Sequence, residues 1–242
     1  LNLREVPLQS DGMDLDALER LVVELDGKCK LVYTVPLHHN PTGIIMSQEK
    51  RTRLVAMARK YNFYIIADEA YQLLNFEPTG LVPLFYEDDD TNPRVLSVGT
   101  FSKLIGPGVK VGWIQAHPSL LKPLTGIGFI NSGNNPVIFN SCGLADFLSS
   151  GAMKEQLTFV SSELSRKKAL LCQELKSAGL EPYEPTGGYF VWCQSKDGKK
   201  TGRSGKGMTL NPPDQFEDYM RLCFAWLTDE QIVEGVRYLK EQ

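Results

Sequence analysis

Hydrophobic positions along the first hundred residues switch between helical and strand periods, and that switching predicts helices and strands in alternation. Residues 14–25 place Leu15, Leu18, Leu21, Val22 and Leu25 at helical spacing, with Asp14 available as the cap. Residues 30–35 form a short apolar and β-branched run that stops at Pro36, which reads as a buried strand. A helix over 47–61 follows, with Ser47 as N-cap and Leu54, Val55, Ala58 and Tyr61 on one face. Residues 64–67 are a second buried strand, closed by the charged pair Asp68-Glu69; 94–100 and 111–116 are a third and a fourth. Strands separated by helical stretches predict an α/β architecture with a mainly parallel sheet. Residue 1 is Leu, and residues 2–7 read as a strand leading to a turn, so the chain is expected to be a piece of a longer protein.

The second half changes character. Leu157, Val160, Leu164, Leu171 and Leu175 define a long amphipathic helix over 153–178, with Gly179 at its C′ position. Strands are expected at 188–193 and 220–226, and Thr228-Asp229-Glu230-Gln231 is a capping box opening a final helix with Ile232, Val233, Val236 and Leu239. The expected division is 1–152 as part of a larger domain and 153–242 as a connecting helix with a small α+β domain. Residues 196–207, with five cations and four glycines, read as a solvated hairpin loop.

Composition narrows the function. The chain has 242 residues, with 26 Lys+Arg against 29 Asp+Glu, a net charge of −3 that offers no bulk attraction to nucleic acid or an anionic membrane. No apolar run reaches the ~20 residues of a membrane span. Five cysteines without a C-x-x-C pair argue against a disulfide framework or zinc knuckle and fit a reducing compartment. His38-His39 lacks metal-ligand spacing with His117, so no metal is expected. Gly205-Lys206-Gly207 departs from a P-loop, and the glycines at 106, 108 and 112 depart from the dinucleotide fingerprint.

Chemistry-bearing residues gather where ligands of open α/β sheets collect, beyond the strand ends. His39-Asn40-Pro41-Thr42-Gly43 follows the first strand, Asp68-Glu69-Ala70-Tyr71 the second, and Thr100-Phe101-Ser102-Lys103 the third, with Lys110 seven residues on. Arg221 stands in a distant apolar run. Each has a bland reading: Asn-Pro-Thr-Gly is a common turn, Asp68 suits a helix cap, and a loop lysine is usually solvated. An arginine in an apolar strand is less comfortable, because burial demands a partner or an anion. Together they supply every part of a pyridoxal 5'-phosphate site. A lysine must supply the covalent and proton-transferring amine, and a carboxylate must sit against the pyridine nitrogen. Asn40 and Tyr71 could supply donors to the ring oxygen, Thr100, Ser102 and Lys110 could hold the phosphate, and an arginine should clamp the substrate carboxylate.

Six stretches carry a resemblance: Tyr33-Thr34-Val35-Pro36 running to Asn40-Pro41-Thr42-Gly43, Ile65-Ile66-Ala67-Asp68-Glu69-Ala70-Tyr71, Gly99-Thr100-Phe101-Ser102-Lys103, Gly108-Val109-Lys110-Val111-Gly112-Trp113, Pro185-Thr186-Gly187-Gly188-Tyr189-Phe190-Val191-Trp192, and Arg221-Leu222-Cys223-Phe224. In order and spacing they resemble class I/II aminotransferases of fold type I, especially the kynurenine/α-aminoadipate aminotransferase branch. The resemblance implies pyridoxal-phosphate-dependent transfer of an amino group between an amino acid and a 2-oxo acid. It implies Lys103 as the Schiff-base lysine, Asp68 at the pyridine nitrogen, Asn40 and Tyr71 at the phenolate oxygen, and Arg221 at the substrate carboxylate. It also implies a homodimer; the cytoplasm is the default compartment, with an organelle address left open. Two departures stand out. Lys110 occupies a position usually held by arginine, which keeps the charge and loses the planar fork. The family also carries an N-terminal portion with a glycine-rich phosphate turn, a ring-stacking aromatic and a tyrosine that reaches the partner subunit, none of which is found here. The alternatives are a β-lyase or decarboxylase of the same fold, and a non-catalytic aminotransferase-like fragment.

Overall fold

A computed structural model describes residues 2–133, 137–195, 203–205, 208–209 and 215–241. A short hairpin, β1 (Leu8–Gln9) with β2 (Gly12–Met13), comes first. The expected strand at 2–7 is not formed; pairing begins only at Leu8. Helix α1 (Leu15–Glu24) starts where Asp14 accepts hydrogen bonds from the Asp16 and Ala17 amides at 3.0 and 2.9 Å. Strand β3 (Leu31–Thr34), helix α2 (Gln48–Tyr61, capped by Ser47), β4 (Tyr64–Asp68), β5 (Val95–Thr100) and β6 (Gly112–Ala116) complete the first sheet.

That sheet has the order β3-β4-β5-β6; the first three strands run parallel and β6 returns antiparallel to β5. The register puts Val32, Ile65 and Val95 on one face, where they are buried with Leu15, Leu18, Val22, Leu54 and Ala58 of the two helices. This is the amphipathic packing that the sequence spacing demands. The opposite face corrects the expectation that the strands at 30–35 and 64–67 are buried, because among the described residues no element covers it and Leu31, Tyr33, Tyr64 and Ile114 are exposed.

Three helices not anticipated from the periodicity come next: α3 (Pro118–Thr125), α4 (Gly128–Asn131) and α5 (Ile138–Ser149). Helix α6 (Ala152–Ser177) is 26 residues long, and it ends as expected. Gly179 adopts φ +81°, its amide donates to the Lys176 carbonyl and the Leu180 amide to the Leu175 carbonyl, a Schellman motif. A second, antiparallel sheet has the order β7 (Glu181–Tyr183), β8 (Phe190–Gln194), β10 (Tyr219–Cys223), β9 (Arg203–Ser204), and α7 (Asp229–Glu241) closes the chain. The capping box is present, with the Thr228 amide donating to Gln231 at 2.9 Å and the Gln231 amide to Thr228 at 3.3 Å.

Two expectations need correction. The strand expected over 220–226 ends at Cys223, because the Phe224 amide turns aside to the Tyr189 carbonyl. Most of 196–207 lies outside the described residues, but Arg203–Ser204 pair with β10 as a strand rather than a loop. The second core joins Leu164, Leu171 and Leu175 of α6 to Val191, Met220, Ile232 and Val236, and it takes in Tyr71, Leu74 and Leu104 from beyond the first sheet. Those three residues therefore tie the strand-end loops to the second sheet.

Candidate active site

The site is built at the edge where β3, β4 and β5 end and antiparallel β6 begins, so the loop leading into β6 returns Lys110 to the same edge. After β3 the chain folds back on itself: the Gly43 amide donates to the His39 carbonyl at 2.6 Å and the His39 amide to the Ile44 carbonyl at 2.9 Å. Gly43 adopts φ +75°, and a Cβ there would lie 2.8 Å from Pro185 Cβ, so this turn calls for glycine.

The adjacent histidines hold the loop. Buried His38 places Nε2 2.7 Å from Asn75 Oδ1, and His39 Nδ1 lies 2.9 Å from the Thr42 hydroxyl. Burial lowers both rings, His39 to about 4, so at neutral pH they are uncharged supports. What the loop presents is Asn40. Its Oδ1 accepts a 2.8 Å hydrogen bond from Arg221 Nη1 on β10, joining the two sheets across the site. The Arg221 guanidinium also lies 4.3 Å over the Phe190 ring, which answers the discomfort of an arginine in an apolar strand.

Beyond β4, Asp68 accepts from the Tyr33 hydroxyl at 2.6 Å and from the Ala70 amide at 3.3 Å. No helix follows for it to cap; residues 70–73 are a turn. Tyr71 is buried, with edge contacts to Tyr189 at 5.6 Å and Phe190 at 6.0 Å between ring centres. Burial, with Asp68 nearby, pushes its phenol up to about 12, so it stays a proton donor. Lys103 Nζ stands 6.0 Å from the Tyr71 ring centre and 5.7 Å from that of Tyr189, whose hydroxyl donates to the Lys103 carbonyl at 2.5 Å.

Asn40, Tyr71, Lys103 and Arg221 thus form one continuous group linked through Tyr189 and Phe190. Thr100, Ser102 and Lys110 lie on the β5–β6 connection beside it. The Thr100 hydroxyl donates to the Val111 carbonyl at 3.3 Å and accepts the Ser102 amide at 3.1 Å, so it holds the turn. The Ser102 hydroxyl has no such engagement among the described residues. Lys110 is exposed, with φ +54°. Three participants were not singled out from the sequence: Tyr33, Tyr189 and Phe190. Position next to the Gly187-Gly188 pair and β-strand alternation were the available signals.

The charges identify the kind of ligand that fits. Among the described residues, neither the Asp68 carboxylate nor the Lys103 ammonium has an ion-pair partner. A carboxylate and an amine left without countercharges on one edge suit a group bearing a protonated ring nitrogen and an electrophilic carbonyl.

A family model described as "Aminotransferase class I and II" matches residues 1–239. The chain belongs to this family. Among aminotransferases it is 30% identical to aromatic-amino-acid aminotransferase 1 of Thermococcus litoralis, over 98% of this chain and 60% of that protein. The crystal structure of a multiple substrate aminotransferase from Thermococcus profundus superposes with a TM-score of 0.85 at 28% identity, covering 98% of this chain and 62% of that one. An α-aminoadipate aminotransferase from Thermus thermophilus, solved with N-(5'-phosphopyridoxyl)-L-leucine, gives 0.83 at 27% identity, over 98% and 64%. The chain therefore spans about three fifths of the length of these aminotransferases.

Proposed function

We propose that this aminotransferase-family chain carries the site of a pyridoxal-phosphate-dependent enzyme that moves an amino group between an amino acid and a 2-oxo acid. The observation that carries the reading is the Arg221–Asn40 hydrogen bond, which sets a cation for a carboxylate beside a cofactor-facing amide. When bound, pyridoxal phosphate supplies the electron sink that acidifies a substrate's Cα–H.

The residues around it divide the work. Arg221 grips the substrate carboxylate, and its stacking on Phe190 limits the angles from which the grip is made. Because Asn40 Oδ1 is taken by Arg221, its Nδ2 is left to donate to the cofactor's ring oxygen, beside the Tyr71 hydroxyl. Asp68 holds the ring N–H. Lys103 would hold the cofactor through Nζ and, once the substrate amine has displaced it there, would use the freed amine to take and return the substrate Cα proton. Ser102 and Lys110 serve the phosphate while Thr100 keeps their turn in shape. The buried wall of Tyr71 and Tyr189 excludes water on the Lys103 side.

Residues 1–152 act in this reading as the cofactor-holding part and 153–242 as the substrate-clamping part. A homodimer is supported by the apolar side chains exposed on α4 and α5, where Phe139 is 88% exposed. Five free cysteines support a reducing, cytoplasmic setting. Among the described residues no helix is long and apolar enough to cross a membrane.

The test is an absorption spectrum after adding pyridoxal phosphate and dialysing, for wild type and Lys103→Ala. The expected result is a retained cofactor band that needs Lys103. A Lys103→Ala protein with an unchanged band and full turnover would overturn the assignment.

A further inference from the structure

Tyr33 and Asp68 lie on adjacent parallel strands, and the pairing of Tyr33 with Ile66 puts Asp68 two positions further along. Side chains alternate along a strand, so Tyr33, Ile66 and Asp68 point to the same, uncovered face. The main chain beside Asp68 is already fixed. The Glu69 amide donates to the Val98 carbonyl at 2.8 Å, and the buried Glu69 carboxylate accepts from the Leu84 amide at 2.8 Å. What remains free is the Asp68 side-chain torsion, and the Tyr33 hydroxyl, 2.6 Å from Oδ2, is the short side-chain contact that restrains it. Although much of the ring is exposed, partial desolvation of the hydroxyl end and the Asp68 carboxylate both push the Tyr33 phenol up, so it remains a donor.

We propose that Tyr33 is a positioning residue for the cofactor: its hydroxyl holds Asp68 Oδ2, fixing the carboxylate in the orientation that meets a protonated ring nitrogen. This rests on the reading of the site given above. A phenol on one oxygen sets the carboxylate plane and leaves Oδ1, held only by the long 3.3 Å bond from Ala70, as the face for the ring N–H. The neighbouring tyrosine on this face, Tyr64, has no hydrogen bond through its hydroxyl among the described residues and is the natural control.

The experiment is an absorbance titration of pyridoxal phosphate binding to wild type, Tyr33→Phe, Asp68→Ala, the double variant and Tyr64→Phe. Tyr33→Phe is expected to weaken binding about tenfold, the scale of a hydrogen bond to a charged group. Tyr64→Phe should change nothing. Because Tyr33 acts through Asp68, the Tyr33→Phe loss should vanish in the Asp68→Ala background, whereas a packing role would give the same loss in both. Wild-type affinity in Tyr33→Phe, or an equal loss in both backgrounds, overturns the proposal. No binding by wild type would sink the site reading itself and the proposal with it. Should Tyr33→Phe fail to fold, NMR of ¹³C-tyrosine-labelled, cofactor-free Tyr71→Phe and Tyr71→Phe/Asp68→Ala decides, because Asp68 also raises the Tyr71 phenol. One tyrosine titration should move downward when the carboxylate is removed, and no movement overturns the proposal.

Discussion

Replacing Gly187 with alanine should be among the most damaging single-methyl changes in this protein. A Cβ there would sit 2.2 Å from His38 Cε1 and Nε2 and 2.4 Å from the Leu74 carbonyl oxygen. The imidazole could swing away only by giving up its 2.7 Å bond to Asn75. The carbonyl cannot retreat, because it accepts the Gly188 amide at 3.0 Å and the flanking Phe76 amide donates to Thr186 at 2.8 Å. Overpacking of this kind costs about 1–3 kcal/mol, and each displaced hydrogen bond adds about 1 kcal/mol. The expected total is about 3–4 kcal/mol, a fall in Tm of roughly 10 °C for a chain of this size. Thermal melts followed by circular dichroism read it directly. Adding His38→Ala should recover only part of the loss, since the backbone clash remains. Gly235→Ala is the matched control: it lies within α7, nothing stands within 4 Å of its Cβ, and it should gain about 1 kcal/mol. A Gly187→Ala protein melting within about 2 °C of wild type would refute the packing argument.

Three further outcomes are expected. Burial holds His39 neutral down to about 4, so below its ordinary 6.5 the unfolded chain takes up a proton that the folded chain refuses. Stability should therefore fall as pH drops through that window, and the urea midpoint of wild type should fall more than that of His39→Asn; the difference cancels the opposing contribution of Glu69, which burial raises. Thr228→Ala removes one side of the capping box and should cost about 1 kcal/mol in urea unfolding. Arg221→Lys loses the planar fork, the stacking on Phe190 and the bond to Asn40, and should raise the KM for a 2-oxo acid about tenfold or more; an unchanged KM would remove Arg221 from the substrate clamp.

The helices with caps were legible in the sequence. Asp14, Ser47, the Thr228–Gln231 box and Gly179 each mark a boundary with a specific hydrogen bond, and each bond is present. Helices α3–α5 were not, for a physical reason: α3 holds Pro123, and α5 buries only Leu144, so no apolar stripe announces it. Strand β9 is two residues long and carries no period at all. At the site, residue types at strand ends pointed to the chemistry, but pairings did not. An apolar run reveals a strand without its register, so nothing in the sequence aligned Tyr33 with Asp68. Nor did it reveal that Thr100 is occupied by the Val111 carbonyl.

Arg221 and Asn40 are 181 residues apart, whereas the Thr100–Val111 bond that shapes the lysine turn spans 11. Closing the longer loop costs about 2.5 kcal/mol more in chain entropy. The lysine side of the site is thus a local product of one hairpin, and the Arg221–Asn40 bond exists only once the two sheets have docked. The expected order of assembly follows, with the Arg221–Asn40 bond forming last and opening first. A mutation that loosens the docking of the sheets, wherever it lies, should break the Arg221–Asn40 bond before it loosens the lysine turn.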